Sequence, residues 1–359
     1  MRVLGVWVDP KLQWKEHIKK ATSKGNAAFE AISRLTTSTW GPSMRRSRLL
    51  YTAVVRPTIA YGSQVWSKGA DGSTLAKSTL KPLEKVQRDC LRKITGAYKR
   101  TPTAAIEREA QVMPLRIYLN QSALSTANKT EHHRVEGEIS RIADQIWTSL
   151  TSRQRTAARP QTGQEKLRNE AKAVVDEGWI RRQAKRRGRP ATAREYKNES
   201  AKEIREHATQ EWHQQFASKA QNQSATVWKT PWKEKPLQLY DTLNKAEATA
   251  LFLLRTEVIG LKAWLANIGV PNTLPQCECG WEAQTVRHVL LHCPKYQRSS
   301  LLTQLPSERL DDILSQARSA RAAAKWFVKA GVLDQFRVAK EIAEEDIEVL
   351  RPFRPLWEW

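Results

Sequence analysis

Three of the four cysteines of this chain lie within seventeen positions, and this clustering constrains the local fold more than any other feature. Together with one histidine they form the pattern Cys-x-Cys-x8-His-x4-Cys, made by Cys277, Cys279, His288 and Cys293. Three thiolates and one imidazole are a tetrahedral ligand set for Zn²⁺, and they leave no coordination position open for catalysis. We therefore predict one structural zinc site, around which residues 277–293 must fold.

The fourth ligand has two candidates. On a continuous α-helix, residues five apart point about 140° apart, so His288 and Cys293 can bind one ion only if the helix ends between them. His292 lies four residues after His288, shares its helical face and is the alternative ligand. Pro294 favours a helix end before Cys293, so Cys293 is preferred. Without a metal, the cluster would be two buried cysteines and a surface histidine, but the cysteine spacing favours the metal.

The charge of the chain points to a polyanionic partner. Its 359 residues include 60 Lys and Arg but 37 Asp and Glu, which gives a formal net charge of +23. The surplus lies in residues 1–128, with 22 basic and 8 acidic side chains, and in residues 151–210, with 16 and 8. Such a field favours RNA or DNA, although a solvated surface or an anionic membrane surface are alternatives.

Several classes of protein do not fit the sequence. No apolar run approaches the about 20 residues that span a bilayer, and the N-terminus lacks the pattern of a signal peptide. We therefore expect neither a membrane partner nor secretion, and no small-molecule substrate. Asp311-Asp312 begins a predicted helix with no strand before it, which is the wrong context for a two-metal site. No catalytic residue is assigned.

Apolar residues recur every three or four positions along most of the chain, which predicts a mainly α fold. A β-rich segment over residues 1–9 predicts one strand. On the helix over 81–95, Cys90 lies on the apolar stripe and is predicted to be a buried thiol. Residues 129–225 are predicted to form long helices with weak cores or a partly disordered linker. The other predicted helices cover residues 11–36, 44–55, 104–127, 246–268, 308–330 and 334–350.

A basic run occupies residues 181–194, with seven basic and no acidic side chains. Three interpretations compete. The first is a nuclear import signal, which predicts a nuclear location with a cytoplasmic pool as the alternative. The second is a solvated linker. The third is minor-groove insertion of Arg187 and Arg189, because Arg187-Gly188-Arg189-Pro190 resembles the core of an AT-hook.

Several motifs resemble a known family. Leu4-Gly5-Val6-Trp7-Val8-Asp9, with Leu12, Trp14 and His17, resembles the segment just after the palm of non-LTR (LINE-type) retrotransposon reverse transcriptases. The segments 51–66, 83–102 and 113–115 resemble the thumb helices that follow. Leu254-Arg255-Thr256, Ile259-Gly260-Leu261 and the cysteine cluster resemble the distal zinc knuckle of the same polyproteins, especially Tad-type fungal ones. The resemblance covers residues 1–125 and 205–300.

This resemblance implies a division of the chain and a function. It implies a thumb-like helical domain over 1–128, a basic helical or linker region over 129–225, a helix with a CCHC zinc knuckle over 226–300, and a helical, Trp-rich tail over 301–359. The family's catalytic aspartates lie upstream of the segment that resembles residues 1–9. The expected function is therefore nucleic-acid binding by the C-terminal half of a reverse transcriptase, without RNA-directed DNA polymerase activity of its own.

The thumb would contact the phosphates of a template–primer duplex through basic residues. These are Lys19, Lys20, Arg45, Arg46, Arg48, Arg88, Arg92 and Lys93. Two departures from the family stand out: Glu257 replaces a frequent glycine, and residues 129–225 lack the strands of a ribonuclease H domain. Two alternative functions remain: an active polymerase whose catalytic part precedes Met1, and a zinc-stabilised protein-interaction module that uses the tryptophan-rich tail.

Overall fold

The computed structural model describes residues 1–37, 39–68, 73–150, 160–183, 193–232, 236–296 and 308–341. The fold is mainly helical, as predicted. Residues 1–9 hold two short antiparallel strands, β1 (Arg2–Val3) and β2 (Val6–Trp7), where one strand was predicted. The chain reverses because Leu4 and Gly5 adopt positive φ angles of 46° and 89°, the conformation of a tight two-residue hairpin turn.

The chain forms two compact units, each assembled from three segments. The first unit contains Met1–Ala27, Arg56–Gln87 and Met113–Ser218, and the second contains Ala28–Val55, Arg88–Val112 and Lys219–Trp359. The predicted boundaries after residues 128, 225 and 300 do not coincide with these units. Such interleaving depends on contacts between helices distant in sequence, which local composition does not reveal.

Helices make up most of the described residues. The α-helices are α1 (Lys15–Ser33), α2 (Met44–Leu50), α3 (Arg56–Ile59), α4 (Ser63–Trp66), α5 (Lys77–Thr95), α6 (Thr103–Ala110), α7 (Leu115–Ala127), α8 (Thr130–Ser149), α9 (Gly163–Gln183), α10 (Ala193–Ala220), α11 (Thr226–Lys229), α12 (Lys245–Thr256), α13 (Lys262–Asn267), α14 (Leu310–Ser315) and α15 (Ala317–Lys329). Short 3₁₀ turns cover Pro236–Tyr240 and Asp334–Phe336, and π-helical turns cover Tyr51–Val55 and His288–His292.

The start of α1 is set by the side chain of Asp9. Its carboxylate accepts hydrogen bonds from the backbone N–H groups of Lys11 at 3.1 Å, Gln13 at 3.0 Å and Trp14 at 2.7 Å. These bonds hold a turn, so α1 begins at Lys15 and not at residue 11 as predicted. An Asx-type turn of this kind competes with the helix for the same donors.

The predicted helix over 44–55 runs into Pro57 through a π-helical turn. Proline has no N–H to donate to the carbonyl four residues earlier, and its ring crowds that carbonyl. The π-helical turn Tyr51–Val55 directly before α3 changes the hydrogen-bond register, so that α3 can include Pro57. The predicted break at Arg56-Pro57 is therefore a local change of helix type.

Residues 129–225 contribute to a buried core in the first unit. Helices α7, α9 and α10 share an apolar cluster made by Ala123, Leu124, Ala127, Leu167, Ala171, Val175 and Ile204. A β-carbon on Gly178 of α9 would lie 2.0 Å from the Glu203 carboxyl group of α10, so the glycine permits close approach of the two helices. The predicted weak core is wrong here, because small residues pack these helices closely.

In the second unit, α12 is a central helix that is buried on nearly every side. Of its residues Lys245–Thr256, all except Glu247 are buried. The prediction of one helix over 246–268 with a single apolar stripe is wrong. Glu257 adopts a φ of +55°, which ends α12, and the chain resumes helix only at Lys262. The apolar run Ala250–Leu254 places this helix in the interior, and the buried polar side chains Lys245 and Arg255 have hydrogen-bond partners there.

The C-terminal tail also differs from its prediction. The helix predicted over 308–330 is two helices, α14 and α15, because Gln316 between them has extended backbone angles. The hydroxyl of Ser319 donates to the carbonyl of Ile313 at 2.7 Å and closes this corner. Residues 342–359, with most of the predicted helix 334–350 and the aromatic end, lie outside the described residues. No helix of the described part is both long and apolar enough to cross a membrane.

Candidate metal centre and cationic surfaces

Cys277, Cys279, His288 and Cys293 converge in the second unit. One candidate ligand atom from each residue lies within 4.8 Å of all the others. Cys277 Sγ lies 3.6 Å from Cys293 Sγ, and Cys279 Sγ lies 3.2 Å from His288 Nε2. Tetrahedral ligands about 2.0–2.3 Å from an ion lie roughly 3.3–3.8 Å apart, so the cluster has the dimensions of a metal site.

A π-helical turn brings His288 and Cys293 to the same site. The N–H of Cys293 donates to the carbonyl of His288 at 2.8 Å, a bond that spans five residues. In an α-helix the bond spans four residues, so a π turn places residues five apart on one face. The helix ends at His292, as predicted, and Cys293 is extended. His292 is exposed and outside the cluster, so the alternative fourth ligand is wrong.

The loop that carries the first two cysteines is held by its own backbone. The N–H of Cys277 donates to the carbonyl of Trp281 at 2.9 Å, and that of Gly280 donates to the carbonyl of Cys277 at 3.0 Å. Gly280 has a φ of +90°, which confirms that it turns the chain. Burial raises the pKa of Cys293 to about 11, so the metal-free thiol is protonated at neutral pH.

Apolar and aromatic side chains cover the cluster on different sides. Val286, Val289 and Leu290, which neighbour His288 in sequence, are buried. The indole of Trp281 stacks on the imidazole of His288, with ring centroids 5.5 Å apart and an angle of 12° between the planes. Trp281 itself is 57 % exposed, so it is the solvent-facing side of the site.

An ion-pair network lies next to the cluster. The carboxylate of Glu278, between the two first cysteines, pairs with Lys262 of α13 at 3.2 Å and with Lys295. Hydrogen bonds from Lys295 and then Lys262 hold the pKa of Glu278 below its usual range. The backbone N–H of Lys262 also donates to the Gln284 side chain at 3.0 Å. These contacts fasten the cysteine loop to α13.

The predicted phosphate-binding residues belong to both units. Lys19 and Lys20 lie exposed on α1, in the first unit. The second unit carries Arg45, Arg46, Arg48, Arg88, Arg92 and Lys93. Arg187 and Arg189 fall outside the described residues, as does most of the basic run over 181–194.

Two of the three arginines on α2 have structural partners. Arg48 is half-buried, and its Nε and Nη2 donate to the carbonyl of Gln111 at 3.1 Å and 2.8 Å. Arg45 makes two hydrogen bonds to the carboxylate of Asp241, at 2.9 Å and 3.1 Å. Arg46 is exposed. Of these three arginines, Arg46 is therefore the most available for the predicted contact with a phosphate.

The basic face of α5 carries an acidic residue that the prediction overlooked. Asp89 lies 3.8 Å from Arg88 and 3.7 Å from Arg92, and Arg92 Nη2 also donates to the carbonyl of Lys99 at 2.7 Å. Its position, one residue after Arg88 and three before Arg92, was the available signal. On the opposite stripe Cys90 is buried, as predicted, and burial raises its pKa to about 12.

The carboxylates Asp311 and Asp312 lie in the first turn of α14, which confirms their predicted helix-start position. The hydroxyl of Thr226 donates to Asp311 at 2.9 Å, and Lys229 lies 3.5 Å from the same carboxylate. Asp312 pairs with Arg309 at 3.7 Å. Each of these two carboxylates therefore has a hydrogen-bond or ion-pair partner in the fold.

Lys245 is a buried amine that sequence reasoning missed. Its side chain is 3 % exposed, and its Nζ donates to the carbonyl of Lys93 at 3.2 Å and to that of Ile94, in the last turn of α5. Burial, with the nearby charge of Lys93, lowers its pKa to about 7. The available signal was a capping box, in which Asn244 and Glu247 start α12 and leave Lys245 in its first turn.

The similarity of the chain to known proteins was compared at three levels. No protein-family model matches it. No curated protein and no solved structure is significantly similar to it. The resemblance to non-LTR reverse transcriptases thus stays a prediction from its motifs.

Proposed function

We propose that this chain is a zinc-stabilised nucleic-acid-binding protein related to the C-terminal half of a non-LTR retrotransposon reverse transcriptase. The observation that carries the proposal is the convergence of Cys277, Cys279, His288 and Cys293 within metal-binding distance of one another. The net charge of +23 supplies the attraction to a polyanion.

The ion in the cluster is Zn²⁺, with a structural role. Thiolate and imidazole donors select zinc over the hard cations Mg²⁺ and Ca²⁺, which prefer oxygen. Four protein donors leave no position for water or substrate, so the ion would not act in catalysis. The free energy of zinc binding would instead stabilise the folded form of the loop that carries Cys277, Cys279 and Trp281.

Nucleic acid would bind through exposed cations on each unit. Lys19 and Lys20 of the first unit and Arg46 of the second are exposed, and they are the best-placed phosphate contacts among the predicted residues. Arg88, Arg92 and Lys93 are half-buried, and Arg88 and Arg92 share the carboxylate of Asp89, so their contribution is smaller. Each cation that contacts a phosphate releases a condensed counterion, which makes the binding dependent on salt.

The chain would bind without polymerising. Phosphoryl transfer by a polymerase needs metal ions held by carboxylates that face the primer end. Asp311 already accepts from Thr226 and faces Lys229, and Asp312 pairs with Arg309. We therefore propose that the purified chain extends no primer on an RNA or DNA template, with either Mg²⁺ or Mn²⁺.

A nuclear location follows from the basic run. Residues 181–194, with Arg187 and Arg189, would direct import into the nucleus. A fluorescent reporter fused to this segment alone should accumulate in nuclei, and a copy with its seven basic residues changed to Gln should not. A reporter that stays cytoplasmic would leave the solvated linker as the better explanation.

The decisive experiment is equilibrium binding of labelled oligonucleotides to the full chain at several salt concentrations. Single-stranded and duplex forms of RNA and DNA should all bind, and the logarithm of affinity should fall linearly with the logarithm of salt, at about −0.7 to −0.9 per phosphate contact. Binding that is absent or insensitive to salt would contradict the proposal and favour a zinc-stabilised protein-interaction module. Primer extension by the chain alone would contradict the proposal that it has no polymerase activity of its own.

A further inference from the structure

The first unit contains a cavity that no predicted function uses. It has a volume of about 350 Å³ and lies between the β1–β2 hairpin, α1 and the segment around Tyr61. Arg2, Trp7, His17, Lys20, Lys24 and Tyr61 are the side chains of its wall that bear on its chemistry. Small-molecule sites have volumes of roughly 300–1,000 Å³, so this cavity falls within their range.

The wall of the cavity is held by specific contacts. The hydroxyl of Tyr61 donates to the carbonyl of Leu4 at 2.9 Å. A β-carbon on Gly5 would come within 3.0 Å of the Tyr61 ring, and one on Gly62 would come within 2.6 Å of Val6 Cγ2. The hairpin therefore packs directly against the Tyr61-Gly62 turn, and the site exists before a ligand arrives.

The charge of the cavity is positive. Arg2, Lys20 and Lys24 line it, and no Asp or Glu among the described residues does. Lys20 Nζ lies 5.6 Å from the centroid of the Trp7 ring, and the half-exposed carboxylate of Glu16 lies 3.8 Å from the same amine. Within the described part of the chain, neither Arg2 nor Lys24 forms an ion pair. Three cations around an aromatic ring suit an anionic ligand that also carries a ring.

His17 is a buried histidine in the wall of this cavity. It is only 4 % exposed, and its Nδ1 accepts a hydrogen bond from the backbone N–H of Trp7 at 3.3 Å. The neutral ring therefore carries its hydrogen on Nε2, which is itself buried. Burial lowers the pKa of His17, and a hydrogen bond from its ring to the backbone carbonyl of Tyr61 opposes that shift. The Trp66 ring packs against the imidazole, with centroids 5.3 Å apart, so His17 helps to fix the wall of the cavity.

We propose that this cavity binds the phosphomonoester group of a nucleotide. Arg2, Lys20 and Lys24 would neutralise the phosphate, and the base would lie against Trp7. The same chemistry is offered by a free mononucleotide and by the 5′-phosphate end of a strand. For a strand end, the inference rests on the proposed nucleic-acid binding.

The test compares ligands that differ only in the phosphate, using the full chain. Adenosine 5′-monophosphate is titrated against adenosine, and a 5′-phosphorylated oligonucleotide against its 5′-hydroxyl twin. The phosphorylated member of at least one pair should bind about tenfold more tightly, because charge-assisted hydrogen bonds are stronger than neutral ones. Preference for the mononucleotide identifies a free nucleotide site, and preference confined to the oligonucleotide identifies a strand-end site.

Variants then assign the preference to the cavity. Lys20→Gln with Lys24→Gln should abolish the phosphate preference. Lys15→Gln is the matched control, since Lys15 is exposed on the same helix, does not line the cavity and is not among the predicted phosphate contacts. Equal affinity for both members of both pairs, or a preference that survives the Lys20/Lys24 double change, would overturn the proposal.

The same data separate this proposal from the proposed function. Salt-sensitive binding of the 5′-hydroxyl oligonucleotide without any phosphate preference would refute the cavity and leave nucleic-acid binding intact. Binding of adenosine 5′-monophosphate without binding of any oligonucleotide would refute nucleic-acid binding and leave the cavity as a mononucleotide site.

Discussion

The backbone N–H of Cys293 donates to the carbonyl of His288 across 2.8 Å, and this five-residue bond places both side chains at one metal-sized site. An α-helical bond of four residues would bring His292 to the face of His288 instead. The backbone of one turn therefore selects the fourth ligand. The same turn leaves His292 exposed to solvent.

The first prediction concerns this selection. Purified chain should contain about one equivalent of zinc, and Cys293→Ser should lose it because one of four donors is gone. His292→Gln is the matched control and should keep the metal. Elemental analysis after gel filtration measures both. Zinc that persists in Cys293→Ser but disappears in His292→Gln would show that the π-helical turn does not form in solution.

The second prediction concerns the salt dependence of nucleic-acid binding. Charge reversal of Arg88, Arg92 and Lys93 together should flatten the log–log salt slope by about two to three units if all three contact phosphate. Because Arg88 and Arg92 share Asp89, we expect the lower end of that range. Arg46→Gln should change the slope by about one unit on its own. An unchanged slope in all of these variants would exclude both surfaces from the contact.

The third prediction concerns a buried ion pair in the second unit. Arg255 Nε and Nη2 donate to the carboxylate of Glu109 at 2.8 Å and 2.9 Å, and both side chains are at most 4 % exposed. Glu109→Gln leaves the guanidinium without its counter-charge, which should cost about 3–5 kcal/mol of unfolding free energy. Asp241→Asn is the control, since it breaks the exposed pair with Arg45 and should cost less than about 1 kcal/mol. Urea unfolding measures both, and similar losses would contradict the expectation.

The same pair has a pH signature. Burial raises the pKa of Glu109, but the charge and hydrogen bonds of Arg255, with the hydrogen bond of Tyr240 and the charge of Arg108, together outweigh burial and hold that pKa below its ordinary value of 4.5. A depressed carboxyl pKa contributes stability above the unfolded value, and that contribution is lost as pH falls through the folded pKa. Wild-type stability should therefore fall below pH 4.5 more steeply than that of Glu109→Gln.

The fourth prediction concerns Lys245. Its pKa falls from 10.5 to about 7 in the folded chain because the amine is buried, so the unfolded chain binds more protons between these two values. Stability should rise with pH across this window, by at most about 1.4 kcal/mol per pH unit. The rise should be absent in Lys245→Met, which has no amine to titrate. Unfolding free energies measured for both chains from pH 7 to 10 test it, and parallel profiles would contradict it.

Local spacing predicted many elements of the fold correctly. The apolar stripe on the helix over 81–95 predicted the burial of Cys90, which is 3 % exposed. The helix end before Cys293 and the helix-start position of Asp311 were predicted from signals a few residues long. These features depend on neighbours in sequence, which is why a single chain reveals them.

The interruptions of helices were harder to predict. The stripe over 246–268 continues through Glu257, but Glu257 adopts a left-handed φ that L-residues avoid without support. Its carboxyl group is buried enough to raise its pKa, near Lys229 and Asp311. Partners from other segments therefore stabilise a break that the local apolar pattern opposes.

What the sequence by itself determined was the mainly helical fold, the donor types at the cysteine cluster and the excess of positive charge, because these follow from residue identity and short spacing. Tertiary structure alone decided that Arg48 serves the carbonyl of Gln111, and that α9 and α10 share a core with α7. Each depends on burial and on the choice among competing partners. Those are set by segments far apart in the chain, and spacing along the sequence does not encode which of them meet.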